Sequence, residues 1–308
     1  MLQFGIDLGG TKTEIIVLDQ QGQQCLRRRV ATPSDSYDAI VATICQLVNS
    51  AADELNCQDY SLGIGIPGAI SPTTGLIKNA NTTCLIGRDF KGDLEQVLQH
   101  PVTLANDADC LALSEATDGA GAGFPTVFCV IIGTGCGGGW VVNGQLISGP
   151  NAIAGEWGHN PLLWRDDNDG QHACYCGQQG CLETLLSGTG LRLQACKETA
   201  IDQPAQQWQV QAEAGDATAL AVLERYYLRL AKALAGVINL MDPHVIVLGG
   251  GVSNLPGIYQ AVPRLWQDYV FSDTVVTPLK AAQHGDSSGV RGAAWLGAAY
   301  CGSAAQRG

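Results

Sequence analysis

Nowhere in its 308 residues does the chain carry an apolar run of about twenty residues, the length a membrane-spanning helix needs. The most apolar stretch, residues 127–142, is broken by repeated glycines and is excluded as a span. A basic N-terminal leader with a cleavage site is missing too. Met1-Leu2-Gln3-Phe4 runs straight into strand-like sequence, which predicts a cytoplasmic location. Positive charge is scarce, with 17 Lys and Arg against 29 Asp and Glu and a net charge of −12. Nucleic-acid phosphates and anionic membranes require a basic face, so neither is expected as a partner. The absence of a Gly-X-Y period excludes a collagen-like chain, and 46% apolar residues exclude a disordered one.

What is abundant is glycine, at 39 residues, where average usage is about 7% of a chain. The length suffices for two domains, each with its own core. Twelve cysteines in a chain of this length without an export signal read as thiols rather than as a disulfide framework. Those in apolar or helical contexts, Cys45, Cys110 and Cys129 among them, read as buried small hydrophobes.

Periodicity predicts strands at 4–8, 14–18 and 24–31, then a helix over 37–55 with Ile40, Ile44, Leu47 and Val48 on one face. A strand at 61–66 is stopped by Pro67-Gly68, and a helical stretch at 94–99, a strand at 102–104 and a helix at 108–116 follow. The opening pattern then recurs. A strand at 126–132 leads into a glycine turn at 133–139, a returning strand at 140–142 and an Asn143-Gly144 hairpin into 145–147. Strand, glycine turn, strand, Gly-containing turn, strand is the grammar of both halves, which reads as an internal duplication of a β-β-β-α unit. A helix at 217–241, a strand at 244–248, a third glycine turn at 249–251, a helix at 258–271, a strand at 275–281 and a final helix at 287–300 complete the chain. No low-complexity linker separates the halves, so they are expected to pack across a cleft.

The first turn, Asp7-Leu8-Gly9-Gly10-Thr11-Lys12-Thr13, is a strand ending in an acid, followed by a tight hairpin. Without Cβ atoms, Gly9 and Gly10 let backbone N–H groups approach a polyphosphate. Thr11 and Lys12 add a hydroxyl and a charge, and Asp7 can hold Mg²⁺ through water. Because Thr13 leads into a strand and not a helix, this is neither a P-loop nor a dinucleotide fingerprint. Taken alone such a turn reads as a plain hairpin. A second turn of the same type, with Gly133, Thr134 and Gly135, makes a pair able to clamp a nucleotide's phosphates.

The pair resembles the phosphate hairpins of the sugar kinase, hexokinase and actin-like superfamily, and Gly249-Gly250-Gly251 resembles its adenosine-contacting segment; the plain alternative there is a strand-to-helix turn N-capped by Ser253. Cys174-Tyr175-Cys176-Gly177-Gln178-Gln179-Gly180-Cys181-Leu182-Glu183 resembles the signature of the ROK family of sugar kinases and repressors, with Glu156-Trp157-Gly158-His159 as its partner motif. Leu104-Ala105-Asn106-Asp107-Ala108 is similar to the family's catalytic segment. Residues 78–82 and 284–294 resemble the bacterial fructokinase and manno(fructo)kinase branch. The resemblance covers essentially the whole chain. It implies a duplicated α/β, actin-like (ribonuclease H-like) fold with two lobes around a cleft, residues 1–116 with 286–308 forming the smaller and 117–285 the larger. It also implies ATP and Mg²⁺, and a homodimer.

Three thiolates within eight residues, Cys174, Cys176 and Cys181, sit in a loop whose Gly177 and Gly180 let it curl around one ion. One imidazole completes a closed Cys₃His set, the pattern of structural zinc. His159, inside the partner motif, is the expected fourth ligand, and His172 is its rival. Family members commonly carry Gly where this chain has Tyr175.

Phosphoryl transfer to a hydroxyl needs an acceptor in line, neutralised γ-phosphate charge and a base. By resemblance the base is Asp107, for which helix capping is the plain alternative, while Asp109 reads as a first-turn dipole residue. Asn79, Asn81, Asn106, Asp107, Glu156, His159 and Glu183 are the expected sugar ligands, His159 through the ring nitrogen that faces away from zinc. ATP is expected on Asp7, Gly9, Gly10, Thr11, Lys12, Gly133, Thr134, Gly135 and Gly249–Gly251. The expected reaction is phosphorylation of a free hexose to its 6-phosphate, fructose first with mannose tolerated; glucose and N-acetylglucosamine are the alternatives. A ROK repressor is the reading from another class. Its DNA-binding domain would precede a phosphate hairpin that here starts at Asp7, and the net charge of −12 also opposes it. An inactive sugar-binding protein is opposed by the presence of Asp7, Lys12 and Asp107.

Overall fold

The computed structural model describes residues 1–305 except Asn81, Asn168, Pro256, Asp286 and Ser287, with side chains described to residue 298. In chain order the elements are β1 (Leu2–Leu8), β2 (Lys12–Leu18), β3 (Gln24–Ala31), α1 (Tyr37–Glu54), β4 (Tyr60–Ile66), β5 (Ala69–Ile70), β6 (Ile77–Lys78), α2 (Phe90–Leu98), β7 (Thr103–Asn106) and α3 (Asp107–Asp118). Then come β8 (Thr126–Ile132), β9 (Cys136–Val142), β10 (Gln145–Ile147), α4 (Glu183–Leu186), α5 (Gly188–Thr199), α6 (Ala205–Glu213), α7 (Ala217–Met241), β11 (Val245–Gly249), α8 (Ile258–Leu265), β12 (Leu279–Ala281) and α9 (Ser288–Ala305).

Two five-stranded sheets share one topology. The first runs β3-β2-β1-β4-β7 and the second β10-β9-β8-β11-β12, so the third, second, first and two later strands of each half occupy equivalent places. In the first sheet β1 and β2 pair antiparallel, with Asp7 opposite Glu14, whereas β1–β4 and β4–β7 are parallel. In the second, β10–β9 is antiparallel and β11 runs parallel to both β8 and β12. This repetition is the duplication expected from the glycine turns.

The chain packs as two compact units, Met1–Gly123 with Gly139–Ala154 and Asp286–Gly308, and Phe124–Gly138 with Gly155–Gly285. In the first, α1 starts where the Ser36 hydroxyl accepts from the Ala39 N–H, and Ile40, Ile44, Leu47, Val48 and Ala51 form its buried stripe. That stripe meets Phe4, Ile6, Ile15, Leu62 and Ile64 of the sheet. α9 approaches the sheet, and also α3, far more closely than side chains permit. A Cβ on Gly5 would lie 2.3 Å from the Val290 carbonyl oxygen, one on Gly63 1.9 Å from that of Ala293, and one on Gly292 1.7 Å from that of Cys110. Part of the glycine surplus therefore serves backbone-to-backbone packing, a use distinct from ligand approach.

In the second unit α7 is capped by the Asp216 carboxylate and buries Val222, Tyr226, Leu230 and Leu234. It also buries Arg229, whose guanidinium donates to Asp169 at 2.7 Å and to Glu198 at 2.8 Å. A buried cation is tolerated only when such partners meet it.

Three expectations change. Residues 136–139 belong to strand β9 and not to the turn: a Cβ on Gly138 would lie 2.9 Å from the Phe128 ring, and one on Gly139 2.8 Å from the Ala108 carbonyl oxygen. The helix expected over 258–271 stops at Leu265, followed by a 3-10 turn at Trp266–Asp268. The last strand shortens to Leu279–Ala281 because Pro278 has no N–H; its carbonyl instead accepts from Ile246 at 3.0 Å.

Candidate active site and metal centre

In the first unit, β1 carries Asp7 to the sheet's end, and the Gly9 N–H closes the turn by donating to the Lys12 carbonyl at 2.9 Å. The Thr32 hydroxyl donates to the Gly9 carbonyl at 2.8 Å, while Gly10, Thr11 and Lys12 remain exposed. Asp7 sits in a slot made by glycines: a Cβ on Gly289 would lie 3.1 Å from one carboxylate oxygen and one on Gly65 3.7 Å from the other. Burial, then the neighbouring Asp107 and Glu14 carboxylates, push the Asp7 carboxyl up to about 6, with Arg29 opposing. Glu14 is itself buried and paired with Arg27 and Arg29.

Asp107 opens α3, but the cap is the residue before it. The Asn106 side-chain oxygen accepts from the Asp109 N–H at 2.6 Å. Asp107 is exposed at the first helical position, with one oxygen accepting from the Ala108 N–H at 2.9 Å. The capping role considered for Asp107 therefore belongs to Asn106. The Cys110 thiol, one turn on, is held well above its usual range by burial and by Asp7, Asp109 and Asp107, so it stays a neutral packing group. Asn79 is exposed in the left-handed region at φ +55°; Asn81 lies outside the described residues.

In the second unit, the Gly133 N–H donates to the Gly135 carbonyl at 3.0 Å, and the Gly133 carbonyl accepts from the Gly188 N–H at 2.7 Å, at the start of α5. Thr134 is exposed. Glu183, first residue of α4, accepts from the Cys136 N–H at 3.0 Å and so buttresses this turn. At the third turn Gly250 has φ +85°, and a Cβ there would lie 2.4 Å from the Ile132 carbonyl oxygen, which only glycine allows. Gly249 closes β11 and Gly251 opens a 3-10 turn to Asn254. The Ser253 hydroxyl donates back to the Gly250 carbonyl at 2.7 Å, so it staples the turn and does not cap a helix.

The zinc-type residues converge. His159, Cys174, Cys176 and Cys181 place one donor atom each within 4.8 Å of one another. Cys176 Sγ and Cys181 Sγ lie 3.7 Å apart, and Cys174 Sγ lies 3.6 Å from His159 Nδ1. Ligands at about 2.3 Å (sulfur) and about 2.0 Å (nitrogen) around a tetrahedral zinc would have edges of roughly 3.6–3.8 Å. The residues thus fit a closed Cys₃His site. All four are within the second unit, and the described cysteines are free of disulfides. His172 is elsewhere, its Nε2 at 3.0 Å from Gln194 Oε1. The backbone amide of Gln178 draws the Cys176 thiol down to about 7.

The far nitrogen of His159, the one expected to meet the sugar, lies 3.1 Å from the Tyr175 phenol oxygen, with the rings edge-to-face at 5.2 Å and 88°. Burial of the hydroxyl, with Glu183 and Glu156 nearby, pushes the phenol up to about 12. Glu156 itself is part-buried beside Trp157, whose indole N–H donates to the Gly137 carbonyl at 3.0 Å. The sequence marked Tyr175 only as a departure from the family's usual Gly; its contact with His159 was not foreseen. Sequence reasoning also passed over the Asp169–Arg229–Glu198 network that pins the approach to the metal loop.

Two sheets of one topology, each with a glycine turn in its first hairpin, define the actin-like, ribonuclease H-like class of sugar kinase folds. The chain belongs to the ROK family, whose model matches residues 3–299. It is 38% identical over 308 residues to the N-acetyl-D-glucosamine kinase of Pasteurella multocida, covering 96% of this chain and 99% of that protein. The N-acetyl-D-glucosamine kinase of Pectobacterium atrosepticum is 38% identical over 301 residues, covering 96% and 98%. Among solved structures, the ROK hexokinase from Thermus thermophilus superposes with a TM-score of 0.88 at 29% identity, covering 98% of this chain and 100% of that one. A ROK glucokinase from Streptomyces griseus, in complex with glucose and AMPPNP, gives 0.78 at 28%, covering 97% and 100%.

Proposed function

We propose that the chain is an ATP-dependent sugar kinase that transfers the γ-phosphoryl group to the 6-hydroxyl of a free hexose. The observation that carries this reading is the pairing in the first unit of Asp7, at the mouth of a glycine hairpin, with Asp107, exposed at a helix start and close enough to raise the Asp7 carboxyl. Asp107 would accept the proton of the sugar hydroxyl as that oxygen attacks phosphorus; the bond to the bridging oxygen breaks and ADP leaves. Asp7 would hold Mg²⁺ through water, and the ion, when bound with ATP, neutralises charge on the phosphates. In the first unit Lys12 and the exposed Gly10 and Thr11, beside Gly9, suit phosphates; in the second unit Gly133, Thr134 and Gly135 are the corresponding candidates for phosphate, and Gly249–Gly251 for adenosine. Zinc, with no open position, would hold the 174–181 loop so that Glu156, His159 and Glu183 keep their places; Asn79, Asn81 and Asn106 complete the proposed sugar ligands. A cytoplasmic homodimer is the assembly this reading implies; among the described residues no helix is long and apolar enough to cross a membrane.

For the sugar, the named activity of the relatives supports N-acetyl-D-glucosamine over fructose. Fructose, with mannose tolerated, is the second reading, favoured by the likeness of residues 78–82 and 284–294 to the fructokinase branch. A coupled ADP-release assay with ATP and Mg²⁺ over fructose, mannose, glucose and N-acetyl-D-glucosamine tests both. Release on N-acetyl-D-glucosamine alone removes the fructose reading, the reverse result removes the other, and none on any of the four overturns the proposal.

A further inference from the structure

We infer that the C-terminal end of α7, with the two loops packed on it, forms an apolar surface that docks a second copy of this chain about a two-fold axis. This deepens the homodimer part of the proposed function by giving it a surface, and it draws nothing from the phosphoryl-transfer chemistry.

α7 ends in a way that a solvent-facing helix seldom does. Its last turn carries no basic residue to meet the helix dipole. It carries instead Leu240, 81% exposed, and Met241, half exposed, before Asp242 stops the helix in the left-handed region. Two loops are fixed against this end. Asn239 grips the first: its side-chain amide donates to the Tyr269 carbonyl at 2.9 Å, and its oxygen accepts from the Phe271 N–H at 2.7 Å. Further along that loop the Thr277 hydroxyl donates to the Pro243 carbonyl at 3.0 Å, just past Met241. The second loop brings Trp164, whose ring centre lies 5.3 Å from that of Tyr269. It also brings Leu163, whose Cδ1 would lie 3.0 Å from a Cβ on Gly236 of α7.

Held in this way, Phe271 is 99% exposed and Val276 85%, with Leu163 and Trp164 about half exposed. The Phe271 backbone is bonded to α7, so its ring is presented by a fixed loop. Trp164 holds φ +50°, a costly conformation for a bulky residue, with its indole half in solvent. At these exposures Leu163, Trp164, Leu240, Met241, Phe271 and Val276 together present roughly 800 Å², whereas the largest apolar patch of a typical monomer reaches about 300–600 Å². Each partner of a standard interface contributes about 800 Å². None of the six is charged, and Trp, Phe and Met are types enriched at interfaces. A two-fold pair places the same patch on both sides, so this surface suffices without a second one. Because the loops are already fixed, little ordering cost remains on docking.

Sedimentation velocity on the full chain, from nanomolar to high-micromolar concentration, tests the surface. Wild type is expected to sediment at twice the 32.3 kDa chain mass. Since these side chains lie in solvent, replacing them leaves no cavity, and thermal melts check that each variant is folded. F271D and L240S should each weaken dimerisation by roughly 30-fold or more, the effect of a hot-spot side chain. V97D, at a 60% exposed valine on α2, should leave it within about twofold. If F271D fails to fold, L240S decides. Exposed Asp242 and Asp273 flank the patch, so added salt should hold or tighten the pair by screening their repulsion. A wild-type dimer that salt dissociates, or that V97D disrupts as much as F271D, overturns the proposal. A wild-type dimer unmoved by F271D and L240S overturns this surface and leaves the homodimer standing, whereas a wild-type monomer throughout overturns both. ADP release, measured separately, decides the kinase reading whichever mass is found.

Discussion

The two glycine turns look interchangeable in sequence and are built differently. The first, at residues 9–12, closes on itself through Gly9 and Lys12, lies exposed, and is flanked by charge: Asp7 before it, Lys12 at its end, and Glu14 with its two arginines behind. The second, at 133–135, carries no charged residue and is held from outside, by the α5 amide of Gly188 on one side and the Glu183 carboxylate on the other. Glu183 follows the last cysteine of the metal loop by two residues. The difference teaches that the charged side chains gather at the first turn, whereas the second takes its shape from Glu183 and Gly188, the former next to the cysteine loop.

The strongest test of that division is Asp107→Asn. Turnover is expected to fall by roughly 10²–10⁴-fold, the usual worth of a general base, while calorimetric sugar affinity changes little. Near wild-type rates would return Asp107 to a structural role and break the first half of the comparison.

Next in size is Cys176→Ala, or removal of metal by chelation. Elemental analysis should show zinc lost, and the KM values for both sugar and ATP should rise by about tenfold, as for other disrupted metal-site supports. If the KM for sugar rises and that for ATP does not, the second turn does not lean on the metal loop.

The pH profile probes the first turn alone. Its Asp7 carboxyl lies near 6, above the ordinary 3.8, so its charged form is lost as pH falls through about 6; on the proposed magnesium role, the KM for MgATP should climb there. The sign for stability is the reverse. A carboxyl whose folded value is raised favours folding while protonated, and that contribution disappears as pH rises from about 4 through 6. Asp107→Asn, by removing a like charge, should move the Asp7 midpoint down; an unmoved midpoint would show that Asp107 does not bear on Asp7.

The smallest effect separates the turns by space. Gly9→Ala places a Cβ 2.9 Å from the Lys12 carbonyl oxygen and requires backbone movement, whereas Gly133→Ala meets nothing within 4 Å. Thermal melts should show Gly9→Ala costing about 1 kcal/mol and Gly133→Ala close to neutral. Equal losses would erase the distinction.

Much of this was legible in sequence because strand periodicity and glycine punctuation are local signals. The strands of the two large sheets, α1, α7, the duplication and the cysteine loop came from such signals, whereas the short β5–β6 pair did not. What escaped depends on contacts distant in the chain. The helices between Glu183 and Glu213 went unread because α5 begins Gly-Thr-Gly, started only by the Ser187 hydroxyl accepting from the Gly190 N–H at 2.9 Å. Arg229 looks like any exposed helix charge until Asp169 is brought to it from 60 residues away. Residues 137–139 read as turn because glycine marks turns and close strand packing alike. Tyr175 gave no periodic signal at all.

The close fit of α9 onto β1 and β4 also bears on how the chain is made. Residues 1–123 leave the ribosome first, but the helix that covers Gly5 and Gly63 begins at Ser288. At roughly 5–20 residues per second, the opening sheet waits on the order of ten seconds or more for its cover. During that interval the nascent first unit presents an uncovered glycine-lined face, making this the stage of synthesis at which a holding chaperone would matter most.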